Sequence, residues 1–301
     1  MIQTEGLRKS FGSLAAVKSV TLHITPGEIF GLVGPDGAGK TTLLRLILGI
    51  VSPSGGTVNL LGSSTAEAVK ERLGYVPQKF SLYGDLTVME NIHLMGALYG
   101  ANRQEADMRG REILDFTNLL PFADRLTDQL SGGMRQKLAL AAGLLHKPEV
   151  FFLDEPTTGV DPVSRREFWQ MLYRLNQEGM TIIVTTPYMD EAELCTRVAF
   201  MEQGRIVACD TPAGLKSAYP FQLLELTAHS RGIKELLAAC PIESVHAFGD
   251  RYHLAVRDAA EEGAAVNAAL AAAAITDYKL RRIPPQLEDV FVHLAEEGGG
   301  Q

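Results

Sequence analysis

Gly34-Pro35-Asp36-Gly37-Ala38-Gly39-Lys40-Thr41 is the stretch that decides how this chain folds. It has the form G-x-x-x-x-G-K-[ST], and each position has a chemical reason. The glycines let backbone N–H groups approach phosphate oxygens. A helix starting at the lysine adds the positive end of its dipole. The ammonium of Lys40 reaches the β and γ oxygens, and the Thr41 hydroxyl ligates Mg²⁺. Average glycine usage puts a chance match on the order of one in a hundred. The flanks fit as well: Ile29-Phe30-Gly31-Leu32-Val33 reads as a buried strand, and Thr41-Thr42-Leu43-Leu44-Arg45-Leu46-Ile47-Leu48 has the apolar spacing of a helix. Candidate phosphate contacts are therefore Gly34, Pro35, Asp36, Gly37, Ala38, Gly39, Lys40, Thr41 and Thr42.

Two further strings follow in order. Val150-Phe151-Phe152-Leu153-Asp154-Glu155 is an apolar strand ending in adjacent carboxylates, followed by Pro156-Thr157-Thr158-Gly159-Val160-Asp161. Alone it is an ordinary acidic pair at a strand end. Beside a phosphate loop, Asp154 becomes a Mg²⁺ holder through water, and Glu155 the group that polarises water for in-line attack on a γ-phosphate. Between the two lies Leu130-Ser131-Gly132-Gly133-Met134-Arg135-Gln136. There Ser131 reads as the N-cap of a helix whose exposed N–H groups make a second anion site.

Together the three strings resemble the ATP-binding subunit of ABC transporters, strongly over residues 1–215 and weakly beyond. The resemblance implies a P-loop α/β ATPase with an antiparallel β subdomain and a helical subdomain, closing head to tail with a second ATP-binding subunit. It implies that Ser131, Gly132 and Gly133 meet the γ-phosphate held by the opposite subunit, and that Asp161 crosses the same interface. Gln78, in Tyr75-Val76-Pro77-Gln78, matches the glutamine that contacts Mg²⁺ and water and relays nucleotide state. Phe11 stands where an aromatic ring stacks on adenine, and residues 80–91 where transmembrane permease subunits are gripped. The implied catalytic set is Lys40, Gln78 and Glu155, the metal set Thr41, Gln78 and Asp154, and the cofactors ATP and Mg²⁺. Two positions depart from the pattern. Asp36 replaces the more frequent Asn. Pro187, after Val184-Thr185-Thr186, replaces a histidine that bonds the γ-phosphate. Proline offers no side-chain donor and no backbone N–H. Thr186 reads as the cap of a helix that Pro187 begins.

The rest of the chain sets bounds. Its 301 residues exceed what one core usually serves, and 46% hydrophobic with 21% charged residues is ordinary for a folded protein. A formal charge of -8 and a pI near 5.4 disfavour a nucleic-acid partner. Cys195, Cys209 and Cys240 form no C-x-x-C spacing and read as reduced structural thiols. No run reaches the ~18 apolar residues of a membrane span, and the start lacks the pattern of a secretory signal. The expectation is a cytoplasmic protein, peripheral at the inner face of the cell membrane through a permease. Helical patterns dominate about 85–147, and strand–helix alternation resumes after it. The expected division is 1–218 and 219–301. The second part has the order β-α-β-β-α-β of a small α+β ferredoxin-like domain, a terminal helix and a frayed Gly298-Gly299-Gly300 tail. Pro284-Pro285-Gln286-Leu287-Glu288-Asp289-Val290-Phe291 resembles the appendage of export-type subunits serving drug, lipid or polysaccharide permeases.

Two other functions stay open. Pro187 fits a regulatory ATP-binding subunit with little hydrolysis, or an asymmetric pair in which this chain's own site is slow. A soluble ABC ATPase acting on ribosomes or DNA would show tandem modules, coiled-coil insertions or zinc motifs, which this sequence lacks.

Overall fold

The computed structural model describes residues 1–79, 81–228 and 232–298. Phe80, at the head of the stretch expected to meet a permease, and Gly299-Gly300 of the tail lie outside the described residues. The chain divides into a unit of Met1–Pro212 and a second unit beginning at Ala213.

The first unit is built around a six-stranded sheet in the order β5-β6-β7-β3-β8-β9. These strands are β3 (Ile29–Val33), β5 (Leu73–Val76), β6 (Val150–Asp154), β7 (Thr181–Thr186), β8 (Arg197–Glu202) and β9 (Arg205–Asp210). The first five run parallel and β9 returns antiparallel. Strands β3, β6 and β7 are buried at every residue, as strands covered on both faces must be. Register does the positioning: Leu32 pairs with Thr185, and Thr185 with Asp154. The carboxyl ends of β3, β7 and β6 therefore finish level, which in parallel sheets is where ligands bind.

A three-stranded antiparallel sheet, β2-β1-β4, carries β1 (Ile2–Phe11), β2 (Leu14–Ile24) and β4 (Gly55–Leu60). Its inward residues Leu7, Val20 and Leu22 share a core with Leu43 and Leu44 of α1 (Lys40–Ile47). The helical region contains α2 (Val88–Leu98), α3 (Arg103–Phe116) and α4 (Gly132–Leu144), packed through Ile92, Leu114 and Leu138. Capping boxes at Thr87/Glu90 and Asn102/Glu105 start α2 and α3, and the Ser131 hydroxyl caps α4. Helix α5 (Pro162–Gln177) follows β6, with Asp161 as N-cap and proline at its first position.

One local expectation needs correcting. The helix after β7 does not begin at Pro187: α6 spans Met189–Ala192 with Tyr188 as N-cap. The Thr186 hydroxyl accepts from the Tyr188 N–H at 3.1 Å, but donates to the buried Glu191 carboxylate at 2.6 Å. Residue 187 is a bend and Tyr188 is extended at φ −94° and ψ 122°.

The second unit follows α7 (Pro212–Ser217), which spans the division. It contains β10 (Gln222–Ala228), α8 (Ile233–Ala238), β11 (Ser244–Phe248), β12 (Arg251–Val256), α9 (Glu261–Ala272), β13 (Tyr278–Ile283) and α10 (Leu287–Gly298). Its four strands form an antiparallel sheet in the order β11-β12-β10-β13. The element order is β-α-β-β-α-β. Leu224, Leu226 and Leu254 pack with Ile233, Leu237, Val266 and Leu270 of α8 and α9.

Candidate functional site

The loop between β3 and α1 wraps the start of the helix. Gly39 is the N-cap of α1 at φ 105°. A Cβ there would lie 2.4 Å from the Ala16 carbonyl oxygen, so both conformation and space require glycine. Lys40 is only 3% exposed. Its ammonium donates to the carbonyls of Gly34 at 2.7 Å and Pro35 at 3.0 Å, and stands 3.2 Å from Glu155 Oε1.

Three strand ends converge on this ammonium. Thr41 Oγ1 donates to Asp154 Oδ1 at 2.9 Å, and Thr185 Oγ1 donates to the same oxygen at 2.8 Å. Asp154 Oδ2 is buried with no hydrogen-bond partner. Glu155, 6% exposed, holds φ 49°. Its N–H is bonded to Thr185 through both Oγ1 (2.9 Å) and the carbonyl (3.1 Å). Gln78 Nε2 donates to Glu155 Oε2 at 2.8 Å. A non-glycine residue in the left-handed region persists only where its surroundings fix it, and such positions cluster at functional sites.

An orphaned carboxylate oxygen beside a threonine hydroxyl suits a hard divalent cation, which commonly binds one or two protein carboxylates and completes its shell with substrate phosphates and water. Thr41 and Asp154 thus fit Mg²⁺. Among the described residues no cluster of three or more His, Cys, Asp or Glu side chains offers an all-protein metal cage.

Lys40, Thr41, Gln78 and Glu155 open onto a cavity of about 630 Å³ lined also by Phe11, Asp36, Gly37, Ala38, Gly39 and Thr42, with Lys18, Gln203 and Gly204 on its wall; Gly34, Pro35 and Asp154 are not among its lining residues. Phe11 is half exposed, with the Lys9 ammonium 5.0 Å from its ring centre. Asp36 is exposed at the rim.

Ser131, Gly132, Gly133 and Asp161 do not line this cavity. They lie where the start of α4 approaches the start of α5. A Cβ built on Gly133 would lie 2.5 Å from Ser164 on α5, and one on Gly132 would lie 4.0 Å from the Gly159 carbonyl. Asp161 Oδ1 accepts from the N–H groups of Val163 at 3.1 Å and Ser164 at 2.9 Å. Those bonds, the one from Ser164 above all, hold its carboxyl below the usual range. One chain thus carries a cavity and, apart from it, a patch of capped helix starts.

Two residues of this region were not singled out from the sequence. Thr185 binds both Asp154 and the backbone of Glu155, and Glu191 gathers threonines from two segments. A threonine at the polar end of an otherwise apolar strand, Thr181-Ile182-Ile183-Val184-Thr185, was the available signal for the first.

Residues 17–158 match the ABC transporter family. The chain is 38% identical over 299 residues to the Nod factor export ATP-binding protein I of Paraburkholderia xenovorans (strain LB400), covering 97% of this chain and 96% of that one. It is 41% identical over 220 residues to the probable multidrug ABC transporter ATP-binding protein YbhF of Escherichia coli (strain K12). That match takes in 72% of this chain and 38% of the relative, so the chain spans well under half of YbhF. A dimeric structure of the ATP-binding cassette MJ0796, in a post-hydrolysis state with ADP and Pi, is similar with a TM-score of 0.65 at 28% identity, over 70% of this chain and 98% of that one. No helix among the described residues is long and apolar enough to cross a membrane. On the strength of its sheet, its phosphate loop and a relative matched along nearly its whole length, the chain belongs to the ABC transporter family as one of its ATP-binding proteins.

Proposed function

We propose that this chain binds and hydrolyses Mg·ATP to drive an export permease, working in a head-to-tail pair with a second ATP-binding subunit. The observation that carries this reading is the separation of two half-sites: a cavity holding Lys40, Thr41, Gln78 and Glu155, and a patch holding Ser131, Gly133 and Asp161 outside it. Neither completes a triphosphate site alone, and two chains facing each other place each patch over the other's cavity. The dimeric, ADP-bound cassette supports the arrangement. The multidrug and Nod factor export relatives support export. Placement at the inner face of the cell membrane follows from a permease partner, and the acidic balance disfavours nucleic acid.

The chain's own residues suggest the order of events. Lys40 stands 3.2 Å from Glu155 Oε1, within reach of phosphate oxygens in the cavity. Phosphate oxygens then take the ammonium, and Glu155 is left with Gln78 facing the cavity. Thr41 and Asp154 would hold Mg²⁺, which would supply charge neutralisation at the phosphates. Phe11 stacks on the base. Glu155, aided by Gln78, accepts the proton of the attacking water as its oxygen bonds the γ-phosphorus and the bond to the bridging oxygen breaks. N–H groups at Gly132 and Gly133 of the opposing chain meet the γ-phosphate, and Asp161 crosses beside them.

Pro187 favours a second reading of the same site, a regulatory subunit with little hydrolysis, because the transferring phosphoryl group loses a donor there. In the asymmetric pair this chain's own cavity is slow, and the one its Ser131 completes is competent. Turnover of the purified chain tests this. Slow hydrolysis that Pro187→His raises about tenfold is expected. Brisk cooperative hydrolysis by the unmodified chain alone would contradict the need for a different partner. Failure to co-purify with any membrane protein would count against the transport role.

A further inference from the structure

Glu191 is a buried carboxylate to which the hydrolytic scheme assigns nothing. It is 1% exposed, and both of its oxygens are engaged. Thr157 Oγ1 donates to Oε1 at 2.5 Å, and Thr186 Oγ1 donates to Oε2 at 2.6 Å. Arg165 brings its Nε to 3.5 Å from Oε1, its Nη1 to 3.4 Å from Asp190, and its guanidinium to 4.4 Å from the Tyr188 ring centre. A buried charge of this kind is tolerated only when paired and hydrogen-bonded, and here the partners come from three separate segments.

Those partners have a common relation to the reacting end of the molecule. Thr157 lies two residues beyond Glu155, and Arg165 lies on α5, four residues beyond its N-cap Asp161. Thr157 thus ties the turn of residues 155–161 to Glu191 by a hydrogen bond, and Arg165, four residues past its end, lies within ion-pair distance of the same carboxylate. On its other side Glu155 is tied to Thr185 through its N–H, at a left-handed φ of 49°. A side chain leaving a backbone so constrained depends on the turn that follows it.

We propose that Glu191 is a positioning residue for ATP hydrolysis: it brackets the turn 155–161 so that Glu155 faces the cavity and Asp161 is presented at the patch. This rests on the ATPase reading above. Pro187 lies inside the bracket, between Thr186 and Glu191. A substitution at 187 reaches Glu155 through these two residues even where residue 187 itself offers the phosphate no donor.

Hydrogen–deuterium exchange on the full chain, without nucleotide, reads the bracket directly. Glu191→Gln removes one acceptor and the charge facing Arg165, and Thr157→Val removes the hydroxyl at constant shape. Each is expected to raise exchange at residues 155–161 about tenfold while residues 34–42 are unchanged, and Thr157→Ser is expected to behave as the unmodified chain. In turnover, both variants lose about tenfold or more in kcat with Mg·ATP affinity held within about twofold. The double variant is no worse than the poorer single one, because both act through one contact. Exchange at 155–161 like that of the unmodified chain, exchange rising evenly along the whole chain, or losses that multiply would each overturn the proposal. Should Glu191→Gln not fold, the Val and Ser variants at 157 decide by the same readout. Failure of the unmodified chain to bind Mg·ATP would contradict the ATPase reading, whereas the nucleotide-free exchange still decides the bracket.

Discussion

The buried charge cluster around Lys40 in the first unit and the one around Glu225 in the second differ in what they leave unfinished. Around Lys40 an oxygen of Asp154 has no partner, Glu155 sits at a strained φ, and a cavity of about 630 Å³ opens in front. In the second unit, Glu225 of β10 is as deeply buried, yet it is fully engaged. Arg281 grips Oε1 through Nε and Nη2, both at 2.7 Å, and Arg251 lies 3.3 Å from Oε2. His253 stands 3.8 Å from the same Oε2 and pairs through Nδ1 with Asp289 Oδ1 at 2.7 Å; Asp289 Oδ2 accepts from the Gln286 N–H at 2.9 Å. Burial of charge is common to both clusters, so it does not by itself mark a working site. What sets the first cluster apart is the cavity that Lys40, Thr41, Gln78 and Glu155 line. The second cluster holds a sheet and a helix together.

The contrast breaks most visibly at Lys40. Lys40→Ala is expected to lower turnover by about 10²–10³, the loss typical of removing a donor aimed at developing charge, and to abolish measurable Mg·ATP binding. Calorimetry and steady-state turnover check it. A smaller effect is expected at the patch. Gly133→Ala forces a Cβ to within 2.5 Å of the Ser164 Cβ as well as its hydroxyl, so α4 must shift from α5. That overpacking costs about 1–3 kcal/mol of stability, read from chemical denaturation. Pairing with a second chain in Mg·ATP should weaken while nucleotide binding to the single chain stays unchanged. Glu225→Gln should have the opposite profile, with nucleotide binding and turnover untouched. It should lose about 1–2 kcal/mol of stability, less than for a fully buried pair because Arg251 and Arg281 are each 50% exposed.

The smallest effect is that of pH. Hydrogen bonding from Arg281, first among its causes, holds the Glu225 carboxyl below its ordinary value of 4.5. The folded protein therefore binds this proton less readily than the unfolded chain does. The stabilisation is fully present above the ordinary value and is lost as pH falls below it through the folded value. The thermal midpoint should decline below about pH 4.5 and decline less steeply in Glu225→Gln, a difference that a pH series of melting curves resolves.

The parts legible in the sequence were those written in adjacent residues. The loop from Gly34 to Thr41, the run into Asp154-Glu155 and the Ser131 cap each sit in one short string, and α5 (Pro162–Gln177) begins and ends where its proline and apolar spacing place it. Strands β4 and β5 escaped because they are short and interrupted: Gly55-Gly56-Thr57-Val58-Asn59-Leu60 alternates weakly, and β5 has four residues. Pro187 as a helix start failed although the Thr186 hydroxyl accepts from the Tyr188 N–H: the same hydroxyl donates to Glu191, and the chain is helical only from Met189. Thr185 and Glu191 were invisible for a non-local reason. Asp154 for Thr185 and Thr157 for Glu191 lie about thirty residues off in the chain, and the register of β6 against β7 and the fold of α6 bring them together.

Titration of Mg·ATP into the full-length chain and into Lys40→Ala by calorimetry reaches the central claim most directly. One molecule of ATP bound per unmodified chain is expected, with binding lost in the variant. Equal affinity in the two proteins, or no heat of binding to the unmodified chain at saturating Mg·ATP, would contradict it.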